Sequence, residues 1–438
     1  MNSVLAASRL RRQLVQACLL ALSWAACLSA HAGIQSPCTE PTVLPGPKVH
    51  VFILPYRAQG KLTARGRELA TIVQRHVLFA ALKYRSIAVA ELTGQAEDCE
   101  ASETMERVQR RLADGQTAIF LWGRLFEQGE AISLQSTVAF STHGYRDRLE
   151  WALGPDQDEH ASAEIPPDPV WFAPRKIPLD LLELLEPAHR VARRLHLEPS
   201  ATSSYFDLPD DPDAQLGYEV RGVRGDWMHI RLFPHGGEGW IEAHTLAGPD
   251  ILKGHFPELH FVDGLVGYHQ LWKTPERPSV AAGARTLDWT RASFDRYLEQ
   301  SSGRAESEAR ALAAILKGNA SLRAAGAQMW ETDALVEAQR EYERARTLAP
   351  ASTTASTFFL ACSAALCARG TCQGGADRLH QAYLEAIARD PTSPALIDNL
   401  GTLYRAAELG RIKLATPPAQ LLEQRAITQK VKASIERR

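Results

Sequence analysis

The chain reads as a multidomain α+β protein: a small α/β sandwich, then a small β-barrel, then an α-helical repeat array. Three observations predict this. Residues 48–140 alternate buried-type strands with amphipathic helices. Residues 217–246 are short strands punctuated by Gly-Asp and Gly-Gly turns. Near the carboxyl end, Ala338, Tyr342, Ala345 and Pro350 recur 41 positions later as Leu379, Tyr383, Ala386 and Pro391.

The elements follow in order. Residues 1–32 hold Arg9, Arg11 and Arg12, no acid, a mostly apolar stretch from Leu14 to Ala26, and Ala30-His31-Ala32. That is the layout of a secretory signal peptide, with the mature chain starting at Gly33. The apolar stretch is shorter than the roughly 20 residues a membrane span needs. Trp24-Ala25-Ala26-Cys27 is similar to a lipid-attachment box, so anchoring through Cys27 is the alternative to a free periplasmic protein. Without the leader's three positive charges, the net charge moves from −2 to −5. No basic stripe marks a nucleic-acid surface, and no later run is long and apolar enough to span a membrane.

Residues 48–56 form a strand, a helix led by Thr63 follows, and Ile87–Leu92 is a second strand. Met105–Leu112 is a helix, and 117–126 pairs with 131–140 through Gln128-Gly129-Glu130. With Phe120-Leu121-Trp122-Gly123-Arg124-Leu125, this order resembles the small envelope domains of the TolB/CsgG type. The sandwich takes 33–153. Residues 154–202 read as a linker or draped arm rich in proline, with Trp171-Phe172 as an anchor, and a helix over 179–195.

Gly225-Asp226-Trp227 and Gly239-Trp240-Ile241 follow in 203–250. Together they resemble the bacterial Src-homology-3-like (SH3-like) domain, a cell-wall and envelope module. Trp227 and Trp240 are expected either in its core or in an aromatic groove beside it. The acidic loop Asp207, Asp210, Asp211 and Asp213 lacks the ligand spacing of a calcium loop. Residues 251–318 are helical, and 319–438 hold the repeats and a charged capping helix.

The recurring stripe, with Gly326 twelve residues before Ala338 and Gly401 and Tyr404 after Pro391, resembles the tetratricopeptide repeat. The resemblance implies stacked helical hairpins with small residues at close contacts and tyrosines between helices. The step of 41 exceeds the family's roughly 34 residues, and the excess falls on the Gly-rich stretch 367–375. In the family the first helix of each pair lines the concave face, which makes Asn399 the leading partner-binding residue; its substitution is then expected to weaken capture with little effect on unfolding.

Five cysteines follow the leader. In an oxidising compartment, Cys367 with Cys372 and Cys38 with Cys99 are the disulfide candidates, leaving Cys362 as a small buried hydrophobe. A continuing helix would instead turn the sulfurs of Cys367 and Cys372 apart. No cofactor or metal motif is present, nor H-E-x-x-H, G-x-S-x-G or a phosphate loop. The sequence therefore implies an exported scaffold that binds a protein or peptide segment through its repeats. The rivals are a peptidoglycan-binding protein acting through the barrel, and an enzyme whose site leaves no local signature.

Overall fold

Strand β1 (Val49–Gln59) is the spine of the sheet, because both of its faces are covered. It lies between β2 (Ile87–Glu91) and β3 (Thr117–Gln128), parallel to each, with Val49 opposite Ile87 on one side and Thr117 on the other. Val49, Val51 and Ile53 join Val89, Ile119 and Leu121 on one face. On the other, Phe52 stacks on Phe120 at 5.5 Å, above Val108 of helix α1 (Ala101–Gln109). Burial on both sides is why these strands read as continuous apolar runs. Strand β4 (Ala131–Thr142) pairs along the whole of β3.

The computed structural model describes residues 42–59, 87–91, 101–128, 131–143, 147–154, 159–177, 194–207, 216–233, 237–242, 254–271, 280–301, 303–325, 331–435 and 437. The leader, the helix expected from Thr63, Gly326, and Cys38 with Cys99 lie outside these residues, as does the helix expected over 179–195 except at its end.

The proline-rich stretch is no bare linker but carries strands of its own. Strands β5 (Arg148–Ala152) and β6 (His160–Glu164) form a separate hairpin, while β7 (Val170–Trp171) and β8 (Arg175–Ile177) both pair with β4. Phe172 turns into the core, 5.5 Å from Phe261 and 5.7 Å from Tyr297, while Trp171 faces solvent.

Strands β9 (Arg194–His196), β10 (Tyr205–Asp207), β11 (Leu216–Arg224), β12 (Trp227–Phe233) and β13 (Glu238–Glu242) occupy the region expected to be a barrel. Among the described residues they do not close. Their order is β10-β9-β13-β12-β11, and β11 then pairs with β2, so the sheet continues through β1, β3 and β4. The reason is the unpaired side of β2: β1 covers one edge, and Leu216–Glu219 satisfies the other.

Nine α-helices stand among the described residues. Helix α2 (Glu258–Leu271) is buried along most of its length against β1 and β3, and pairs with α3 (Val280–Gln300). The pair comes close because Gly264 faces the Phe294 ring and Gly267 faces Trp289 and Thr290. Then come α4 (Ser307–Ala325), α5 (Thr332–Leu348), α6 (Thr353–Ala368), α7 (Ala376–Arg389), α8 (Pro394–Glu408) and α9 (Pro418–Ile435), each packed on the next. None among the described residues is long and apolar enough to cross a membrane.

The 41-residue step has a structural counterpart. Helices α5 and α7 both end just before a proline, and Ser352 and Ser393, two residues past each proline, cap α6 and α8 by accepting a backbone N–H. Ala338, Tyr342, Ala345, Tyr383 and Ala386 are buried, as is Leu379. Pro350 and Pro391 are exposed in the turns, and Tyr404 and Gly401 lie on α8. The small residue against Tyr342 is Gly318: a Cβ there would sit 2.7 Å from the ring and 3.2 Å from the Ala338 carbonyl oxygen. Cys367 is bonded to Cys372 with Cα atoms 4.1 Å apart, closing the turn after α6, which Gly370 enters at φ 79°. Cys362 is buried as a free thiol that donates to the Leu335 carbonyl, and burial pushes its pKa up.

Candidate functional site

Two surfaces gather the residues singled out in the sequence. The first is the solvent-facing side of β9–β13. Antiparallel register sets Trp240 opposite both His196 and His229, so the three share a face, and Tyr205 opposite His196 extends the row. His229 and Trp240 lie 4.9 Å apart; His196 is 5.2 Å from Tyr205 and 5.0 Å from Trp227. Trp227 and Trp240 are half-buried, and Tyr205 is 48% exposed. The opposite face carries Leu195, Met228, Ile230 and Ile241, all in the core. Both tryptophans are thus outside the core face, in a ring row crossing four adjacent strands, or about 14 Å at ordinary strand spacing. Its rim is charged: Arg194 lies over Tyr205 at 4.8 Å, and Glu238 faces His229 at 3.9 Å and Arg231 at 4.0 Å. Half-buried rings with a polar rim suit a ligand with both apolar flats and hydrogen-bonding groups, although His196 in the middle of the row is only 7% exposed.

The second surface is the inner face of α6 and α8, and it is filled. The hairpin β5–β6 lies in it. Asn399 is only 1% exposed; it accepts from the Ser162 N–H at 2.8 Å and donates to the Ser162 carbonyl at 2.7 Å. Ser162 sits opposite Glu150 in the hairpin, yet its own N–H and C=O point outward, where the Asn399 carboxamide takes the place of a third strand's peptide. Thr402 adds a bond to the His160 carbonyl at 3.3 Å, Arg369 one to the Ala152 carbonyl at 3.2 Å, and Arg405 pairs with Glu159 at 3.3 Å.

This corrects the expectation that Asn399 stands free for a partner: its hydrogen-bonding groups are spent on the chain's own strand. It also reverses the expected effect of substitution. Asn399→Ala orphans a buried N–H and C=O, and an orphaned group costs about 1–3 kcal/mol. The thermal unfolding midpoint of Asn399→Ala is therefore expected to fall by several degrees, and an unchanged midpoint would refute the seat as a stabilising contact.

Apart from these two surfaces, where β8 pairs with β4, is a buried ionic cluster that no local pattern announced. Arg175 of β8 donates to Glu306 Oε1 at 2.6 Å and lies 3.5 Å from Glu258 Oε2, with both carboxylates 2% exposed or less. Glu258 Oε1 accepts from Ser136 at 2.7 Å, and the Ala173 N–H supports Glu306 at 3.2 Å. One guanidinium serves two buried carboxylates, so one of them does best protonated. Burial is the largest cause that raises Glu258, opposed by the Ser136 hydrogen bond and by Arg175.

The sign follows. A raised folded pKa means the folded chain binds more protons than the unfolded one above the ordinary glutamate range, near 4.3, so stability falls as pH rises through that window. Glu258→Gln keeps an acceptor for Ser136 without the charge. Its unfolding midpoint is expected to fall less steeply between acid and neutral pH than the parent's; equal slopes would rule Glu258 out as a source of pH dependence.

Among the described residues, no group of three or more His, Cys, Asp or Glu side chains is arranged to hold a metal ion. No protein-family model, curated protein or solved structure matches this chain.

Proposed function

We propose that the chain is an exported envelope scaffold that holds a cell-wall polymer on the aromatic face of β9–β13, while its helical array serves as an internal cradle. In this reading β9–β13 are an opened SH3-like module spliced onto the sandwich sheet, and α4–α8 are tetratricopeptide-like repeats whose first helices grip an extended strand. The observation that carries it is the contrast between the two surfaces. Asn399 is committed to Ser162, whereas Trp227, Trp240 and Tyr205 share the sheet face away from the core, with both tryptophans half-buried and Tyr205 exposed. Export is supported by the Arg-rich start and Ala30-His31-Ala32.

A second reading keeps the repeats as the recognition surface, with a partner's strand replacing β6. It is favoured by the mode of capture, since Asn399 reads only main-chain groups and would accept any extended segment. Co-sedimentation with purified peptidoglycan separates the two. The parent protein is expected to pellet with the polymer, and Trp227→Ala with Trp240→Ala to remain in solution while still unfolding cooperatively. Failure of the parent to pellet, together with partner capture by crosslinking from intact envelopes that survives the tryptophan changes, would favour the repeats.

A further inference from the structure

Between β6 and β7 the chain runs as Ile165-Pro166-Pro167-Asp168-Pro169, and its prolines fix their own φ and restrict the residues before them. This strap lies beside the first half of α4 and the start of α6, leaving a groove of about 480 Å³ between them. Ala309, Leu312 and Ile315 of α4 line one side; Pro166, Val170 and Trp171 line the other. Ala309 and Ile315 are each 1% exposed, so they belong to the core as much as to the groove. Trp171 is 56% exposed: β7 holds its backbone opposite Thr137, and Phe172, one residue on, takes the core position instead. An indole held by its backbone with its ring in solvent contributes little to folding.

The rim has one sign. Asp168 and Glu308 both line the groove and both are exposed; among the described residues neither has a hydrogen-bond or ion-pair partner, and no lysine or arginine is among the lining residues. Two unpaired carboxylates beside a bare indole over an apolar wall match one kind of side chain. A guanidinium or ammonium stacks on the indole face, its donors reach the carboxylates, and its aliphatic stem covers the apolar wall. We propose that this groove docks an extended peptide segment of a partner protein that presents an arginine or lysine between apolar side chains. The inference is independent of the aromatic face of β9–β13 and of the strand seat at Asn399.

The test uses the full chain and a dye-labelled heptapeptide with a central arginine flanked by valines, against the same peptide with a central glutamate, by fluorescence anisotropy. The arginine peptide is expected to bind, and more weakly as salt rises; the glutamate peptide is expected not to bind. Trp171→Ala should weaken binding about tenfold, the equivalent of 1.4 kcal/mol. Asp168→Asn combined with Glu308→Gln should do the same and flatten the salt dependence. All three positions are exposed, so unchanged unfolding midpoints will show that the variants fold. Equal binding of the two peptides, no binding of either, or Trp171→Ala with parental affinity would each overturn the proposal. So would a concentration-dependent dimer abolished by Trp171→Ala, which would assign the groove to a second copy of the chain.

Discussion

Arg323→Met is expected to lower the unfolding free energy by about 3–5 kcal/mol, because it strands a buried carboxylate. Asp147 is 4% exposed, and its Oδ1 accepts from Arg323 at 2.5 Å and from the Tyr268 hydroxyl at 2.6 Å. The guanidinium also lies 4.1 Å over the Tyr268 ring. From there the network runs inward: Asn319 reaches the Tyr268 hydroxyl at 3.4 Å and accepts from Tyr342 at 2.7 Å. One set of polar contacts thus ties the hairpin's entry to α2, α4 and α5. The desolvation cost of both charges has already been met in the folded chain, so removing one leaves the other uncompensated. A double variant, Asp147→Asn with Arg323→Met, is expected to be more stable than Arg323→Met alone, since no buried charge remains. Chemical denaturation of four proteins decides, the parent, Asp147→Asn, Arg323→Met and the double variant: if the double variant loses the sum of the single losses, the two groups are not coupled.

That network shows where the sequence stops being legible. Strands β1 to β4 were readable because their apolar runs and turn residues are local signals, and the Ala-Tyr-Ala stripes because close helix packing demands small residues at helical spacing. Asp147 and Arg323 meet across 176 positions, and nothing near either names the other. The proline-rich stretch misleads for a related reason. Its prolines remove ladder donors, but β6 spends its outward groups on Asn399 and Thr402 rather than on a strand, and neither partner can be inferred from the stretch itself.

The barrel expectation failed on topology. Gly-Asp and Gly-Gly turns specify short antiparallel strands, and those formed; they do not specify that β11 will turn to the edge of β2. Gly318 was missed because the family's spacing puts the small residue at Gly326. Gly326 lies outside the described residues, and the glycine found against the Tyr342 ring is Gly318, eight positions earlier on α4. A search for any small residue on α4 one helical face away from the Tyr342 ring, rather than at fixed spacing, would have found it.

Trp151→Ala is expected to cost about 3–5 kcal/mol and to release the hairpin β5–β6 from the helices. The indole is fully buried, edge-on to Tyr342 at 6.2 Å and to Phe358 at 5.9 Å, so it joins the hairpin to α5 and α6. Ala161 opposite it and Ala163 beside it are too small to fill the space it would leave. The cavity would sit where three elements meet, and a site held from three sides collapses poorly. Trp151→Phe is the informative companion. Among the described residues the buried indole N–H has no partner, so phenylalanine gives up some ring area but also removes an unsatisfied donor. It should therefore lose much less than alanine does. Hydrogen exchange adds a second reading: in Trp151→Ala the Ser162 amide, bonded to Asn399 in the parent, should lose protection selectively, while amides of β1 and β3 stay protected. If Ser162 stays as protected as β1 in that variant, the tryptophan is not what holds the hairpin in its seat, and the Asn399 contact would have to hold it alone.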